Sequence, residues 1–215
     1  MQINITPDEA LAELCRRSFF RFLQEFWSEL VTEDPVYNWH IPYICDRLQV
    51  ACERVLKRER KLYDILINIS PGETKSTICT QALPVWMWIR DARTRTLTAS
   101  YSASLSTNHS VKSRDIIRSA KFKRLFPEIV LKADEDNKTL YKNTAGGERM
   151  ATSVGGAGTG FHAHLIVVDD AINPHGAQSE VKREEANNFM GQTLSTRKTN
   201  KAITLTVLVG QRVHE

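Results

Sequence analysis

An α/β fold with a mainly parallel sheet and helices on both faces follows from three features of the chain. An apolar run, Leu66-Ile67-Asn68-Ile69, breaks at Ser70-Pro71-Gly72 and ends in Thr74-Lys75-Ser76-Thr77. A β-branched run, Ile166-Val167-Val168, ends in Asp169-Asp170. Around them, short strand-like runs alternate with stretches at helical spacing, the pattern of parallel strands joined by crossover helices.

The elements are expected in the following order. Residues 7–30 read as one helix behind Thr6-Pro7, with Leu11, Leu14, Phe19, Phe22, Leu23 and Phe26 at helical spacing. A loop with Asp34-Pro35 and Trp39-His40-Ile41-Pro42 follows, then a helix from about Tyr43 to Arg60. Strands are expected at 63–69, 96–101, 139–141, 165–168 and 204–209, where β-branched and aromatic residues gather. Helices are expected at 76–89, 103–119 and 179–194. Residues 1–36 form an N-terminal helical segment or lid, and 37–215 the α/β domain, with no internal repeat or low-complexity linker.

Composition narrows the classes. The 215 residues suit one generous domain, and 41% hydrophobic content is enough for a packed core. No apolar run approaches the ~20 residues of a membrane span. The N-terminus lacks the basic region and apolar stretch of a secretory signal. Cys15, Cys45, Cys52 and Cys79 show neither Cys-x-x-Cys spacing nor paired histidines, which argues against zinc and for reduced thiols. The net charge of +4 is mild. Basic clusters at 54–61 and 112–124 read either as solvated helix faces or as contacts to a polyanion.

Chemistry concentrates at two strand ends, and ligands of open α/β sheets bind beyond the carboxyl ends of strands. A lysine and a hydroxyl after one strand, with acids after another, are what holds a triphosphate and its Mg²⁺. The candidate cradle is Pro71, Gly72, Glu73, Thr74, Lys75, Ser76 and Thr77. Its backbone N–H groups suit phosphate, Lys75 supplies a point charge, and Ser76 is a candidate Mg²⁺ ligand. The loop departs from Gly-x-x-x-x-Gly-Lys-[Ser/Thr] twice, with Ile69 and Thr74 at the glycine positions. Thr74 is costly there if its φ must be positive. Asp169 is the candidate for the Mg²⁺ shell, and Asp170 for orienting or deprotonating the attacking water. Adjacent strand residues point to opposite faces, so both acids share a pocket only if the backbone changes course at the strand end. Taken singly, each motif also reads as an ordinary turn.

With these residues in view, the chain resembles the ATPase region of the large terminase subunit of tailed bacteriophages and prophages, the motor that packages DNA. The likeness runs in order through Trp39-His40-Ile41-Pro42, the loop from Ile67 to Ser76, and Ala99-Ser100-Tyr101-Ser102-Ala103-Ser104-Leu105-Ser106. It continues through Gly155-Gly156-Ala157-Gly158-Thr159-Gly160, Val167-Val168-Asp169-Asp170-Ala171-Ile172-Asn173-Pro174, Gln192-Thr193-Leu194-Ser195-Thr196-Arg197 and Val209-Gly210-Gln211-Arg212-Val213-His214.

The resemblance implies a P-loop NTPase architecture of the RecA-like (ASCE) type, with ATP and Mg²⁺ held by Lys75, Ser76, Asp169 and Asp170. It places the adenine side near residues 38–49, with Trp39 or Tyr43 as stacking partners. It sets Gln211, after the coupling strand, to sense the γ-phosphate. Many terminases carry an arginine after a Thr-Gly pair that acts as a finger on a neighbouring subunit's ATP. Here Phe161 follows Thr159-Gly160, and Arg149 is the candidate substitute. The catalytic carboxylate is Asp170, not the longer glutamate common among related motors.

The implied setting is the cytoplasm of an infected or lysogenic bacterial host, away from membranes. The implied partners are double-stranded DNA, held through its phosphates, a portal protein, a small terminase subunit and other copies in a ring. Lys112, Arg114 and Lys198 are candidate DNA contacts. No counterpart of the family's C-terminal nuclease domain is found before Glu215, so no nuclease activity is expected. The competing readings are a helicase-type ATPase of another family and a nucleotide-insensitive scaffold that binds DNA or a portal through a decayed loop.

Overall fold

A computed structural model describes residues 5–156 and 160–211. Seven strands form one sheet: β1 (Ile65–Asn68), β2 (Arg95–Ser100), β3 (Leu131–Asp136), β4 (Leu140–Asn143), β5 (Glu148–Ser153), β6 (Leu165–Asp169) and β7 (Leu205–Gly210). Their order is β1-β7-β6-β2-β5-β4-β3. The first five in that order are parallel, while β4 and β3 add an antiparallel edge. The mainly parallel α/β sheet is therefore as expected. Of the three strands on that side only β4 was expected, at 139–141, with no antiparallel pairing foreseen; β3 and β5 were missed. The turn joining β4 to β5 carried a signal in Gly146-Gly147. Gly146 has φ +90°, and a Cβ on Gly147 would collide with the Ala92 carbonyl. Asn143 Oδ1 closes the turn by accepting from the N–H groups of Ala145 and Gly147.

Strand alternation divides the core. Leu165 and Val167 face a large cluster with Phe22, Trp86 and Phe122, whereas Ile166 and Val168 face a smaller one with Phe161, Phe189 and Leu194. The larger side is built by α1 (Pro7–Arg17), α2 (Phe19–Glu25), α3 (His40–Leu56), α4 (Leu83–Arg90), α5 (Ala103–Arg118) and α6 (Ala120–Leu125). The smaller side is covered by the turns that follow α7 (Glu180–Asn188). The N-terminal segment belongs to the main core: Phe19 lies 5.3 Å from Trp86 and Phe26 lies 5.7 Å from Phe122, ring to ring.

The helix expected over 7–30 is broken at Ser18, whose backbone is extended (φ −133°, ψ 118°). Ser18 ends α1, and its hydroxyl caps α2 by accepting from Arg21 N–H. Gln49 of α3 occupies the gap. Its amide accepts from Phe19 N–H at 2.8 Å and donates to the Arg17 carbonyl at 2.7 Å, satisfying groups a continuous helix would have paired internally. α3 itself begins at His40, earlier than expected, because Pro42 falls in the first turn, where a missing N–H costs nothing. All four cysteines are free and buried, and no helix among the described residues is long and apolar enough to cross a membrane. Gln49→Leu strands both backbone groups at the break. It is expected to cost about 1–3 kcal/mol, read as a lower midpoint of urea unfolding with an unchanged slope.

Candidate active site

The loop after β1 turns at Gly72 (φ +85°) and then at Thr74 (φ +58°). The left-handed region costs an L-residue roughly 1–2 kcal/mol, and a β-branched one is a genuine outlier there. The glycine-like conformation is thus kept at this position with a threonine in place. Helix begins at Lys75, whose side chain is buried and whose Nζ lies 3.9 Å from Asp170 Oδ2. Since β7 alone separates β1 from β6, the loop and the acids look at each other across the end of one strand.

Both acids do face one site, and the backbone change this requires is present. Asp170 has φ +46°, which turns its side chain back toward Lys75. Its main chain is clamped on both sides, its N–H donating to Val209 O at 2.8 Å and its carbonyl accepting from Tyr101 N–H at 3.0 Å. Asp169 has no solvent exposure. Its Oδ2 accepts from Thr80 Oγ1 at 2.8 Å, while Oδ1 has no protein partner among the described residues. Burial pushes the Asp169 carboxyl above its ordinary value, opposed by the Thr80 and Ser76 hydroxyls and Lys75. Asp170 is also raised, by burial and then by Asp169's charge, with Lys75 and the Gln211 N–H pulling the other way.

Thr80 reaches Asp169 because the helix after the loop opens into a π turn over Thr77–Ala82. The cause is Pro84, which has no N–H to give the Thr80 carbonyl four residues back. Leu83 N–H goes to Ile78 O instead, a five-residue step. The Thr80 carbonyl is satisfied from outside, by Arg149 Nη2 at 2.9 Å, and Ser113 Oγ donates to the next carbonyl, Gln81 O, at 2.6 Å. Arg149 also donates to the Ser113 hydroxyl. Beside this, His109 of α5 sits with Nδ1 2.8 Å from Gln81 Nε2 and Nε2 3.5 Å from Asp169 Oδ2. Burial, then Arg149 and Lys112, lower the His109 pKa to about 4, so the ring is neutral. Thr80, Gln81, His109 and Ser113 were all missed by sequence reasoning. The available signal was Thr80-Gln81 ahead of Pro84 in an otherwise apolar helix.

Other expected residues fall as follows. Trp39, 74% exposed, stands at the start of α3, where His40 Nε2 comes within 3.5 Å of Glu73 Oε2 in the loop. Gln211 lines a cleft with Asn68, Asp170 and Gly210. Arg149 requires a correction. It is 1% exposed and spent on the π turn, so it has no reach toward a neighbouring chain's ligand. The basic residues assigned to DNA are likewise engaged within the chain. Arg114 is buried against Asp136 at 3.1 Å, Lys112 donates to Leu30 O at 3.1 Å, and Lys198 lies 3.6 Å from Asp64. Ala157, Gly158, Thr159, Arg212, Val213 and His214 lie outside the described residues.

Mg²⁺ takes hard oxygen donors and keeps waters, held by one or two carboxylates plus ligand phosphates. The donors that fit that habit are the Ser76 hydroxyl and buried Asp169, whose Oδ1 has no protein partner among the described residues. Among the described residues no three His, Cys, Asp or Glu side chains gather as a metal cage. Comparison with protein-family models and with curated proteins found no match.

Two outcomes test this geometry. Since burial raises Asp169's pKa, the folded chain keeps the proton longer than the unfolded one, and ionisation weighs against the fold as pH rises past the ordinary 3.8. Asp169→Asn should therefore melt higher than the parent at pH 7, the gap closing as pH falls toward 3.8. Arg149→Met leaves the Thr80 carbonyl unpaired and should lose about 1–3 kcal/mol in chemical unfolding.

Proposed function

We propose that the chain is a Mg²⁺-dependent ATPase, the motor region of a tailed-phage or prophage terminase large subunit that drives double-stranded DNA into a procapsid. The observation that carries the ATPase reading is the meeting of Lys75 with Asp170 across the strand ends, beside buried Asp169. A phosphate loop and an acidic strand end separated by a single strand suit the P-loop architecture of the RecA-like type. The terminase assignment rests on the ordered signatures from Trp39 to the segment after β7.

In this reading the loop N–H groups and the Lys75 ammonium receive the β- and γ-phosphates, and the helix N-terminus adds its partial positive charge. Ser76 and Asp169 are the residues that would hold Mg²⁺. The ion's contribution is to neutralise charge on the phosphate oxygens. Asp170, with its raised pKa, takes a hydrogen bond from the attacking water and orients it in line with the γ-phosphorus. Trp39 stands on the adenine side, and Gln211, whose N–H supports Asp170, links the γ-phosphate to the end of β7. An arginine finger comes from elsewhere than Arg149, supplied by another copy in a ring. The complete assembly works in the host cytoplasm with portal protein and small subunit, holding DNA by its phosphates.

Calorimetric titration of ATP with Mg²⁺ into the parent chain and into Lys75→Ala tests the reading. Losing one charged contact of about 1.5–3 kcal/mol should weaken binding roughly 10- to 100-fold. Turnover per chain should rise with protein concentration if a neighbour supplies the finger. No binding by the parent would move the nucleotide-insensitive scaffold ahead.

A further inference from the structure

Two buried atoms near the acids face each other without a proper hydrogen bond. His109 Nε2 has no hydrogen-bond partner among the described residues, and its nearest acid oxygen is Asp169 Oδ2, 3.5 Å away. Thr80 Oγ1 donates to the same Oδ2 at 2.8 Å, while Oδ1 has no hydrogen-bond partner among the described residues. A core histidine with a purely packing role has no reason to aim a ring nitrogen at a buried carboxylate. A nitrogen facing a carboxylate must carry the proton, since a lone pair there would be repelled. That makes Nδ1 the acceptor, and the Gln81 amide, 2.8 Å away, is the donor that fixes this tautomer.

We infer that His109 is a positioning residue for Asp169, its tautomer locked by Gln81, so that Nε2–H and the Thr80 hydroxyl together hold Oδ2 while Oδ1 is presented to the metal side. This inference rests on the ATPase reading above. Its physical logic is that of an outer-shell partner, whose loss typically costs 10–100-fold in metal affinity. Gln81 owes its place to the π turn, so the orientation of the metal-side acid is set by two elements, the helix after the loop and α5.

The test is a calorimetric titration of Mg²⁺ at fixed concentration of a non-hydrolysable ATP analogue, with melting temperature measured alongside. Variants are His109→Leu, His109→Gln and Gln81→Met. His109→Leu removes the donor and should raise the half-saturating Mg²⁺ concentration about 10-fold or more. His109→Gln sets an amide N–H near the lost Nε2–H and should restore most of that affinity. Gln81→Met keeps the ring but frees its tautomer, and an intermediate loss of affinity is expected; this variant carries the test if His109→Leu does not fold. A merely structural histidine would lower the melting temperature of His109→Leu and leave the Mg²⁺ dependence of all three unchanged, which would overturn the inference. Equal impairment of His109→Gln and His109→Leu would also overturn it. Failure of the parent to bind nucleotide is a separate result: it removes the ATPase reading and this inference with it.

Discussion

A carboxylate without solvent exposure, at the end of a central strand, constrains everything around it. Asp169 sits where β6 leaves the sheet, and its charge is disfavoured by the apolar strands beneath. Burying an unpaired carboxylate is prohibitively expensive, so a polar shell has to be built on it. That shell is drawn from Thr80, Ser76 and Lys75 on the segment after β1, with His109 facing it from α5. The packing of these elements is the means by which one buried charge is tolerated.

The shell is possible because a helix is interrupted in a controlled way. Pro84 removes one internal hydrogen bond, the helix widens over Thr77–Ala82, and Thr80 and Gln81 are carried toward the sheet. The Thr80 carbonyl that loses its donor lies in a water-poor interior and needs another. Arg149 from β5 provides it and Ser113 from α5 binds the next carbonyl, which ties the antiparallel-edge side of the sheet to the helix that bears the site. A residue with the chemistry of a mobile cationic finger is thereby made a fixed structural cap.

Two of the three non-glycine residues with positive φ among the described residues border this site, the third being Arg58 after α3. Thr74 and Asp170 both occupy the left-handed region, and Lys75 lies between the elements they turn. Such conformations cost energy and persist only where surroundings over-determine them, and they cluster at working sites. Here the surroundings are visible: the Asp170 main chain is bonded to β7 on one side and to the residue after β2 on the other. The turn of backbone that this forces is what brings two sequence neighbours to one pocket.

Four of the five parallel strands (β1, β2, β6 and β7), the crossover helices and the two chemical strand ends were legible in the sequence, because strand alternation, helical spacing and turn residues are local properties of the chain. Even the condition for Asp169 and Asp170 to share a pocket followed from the two-residue repeat of a strand. The break at Ser18 was not legible, since the pattern of Leu14, Phe19 and Phe22 continues through it, and Gln49, remote in sequence, is what makes the break stable. The roles of Arg149, His109 and Gln81 were equally hidden. Each depends on which buried group lies opposite it, and that is set by strand order and helix packing across long sequence separations. Lys112, Arg114 and Lys198 could be named from the sequence only as basic residues, and packing decided the partner each has within the chain. Local chemistry thus chose the elements and the acids, while long-range packing chose their partners, because a side chain's partner is a fact of proximity that no local pattern encodes.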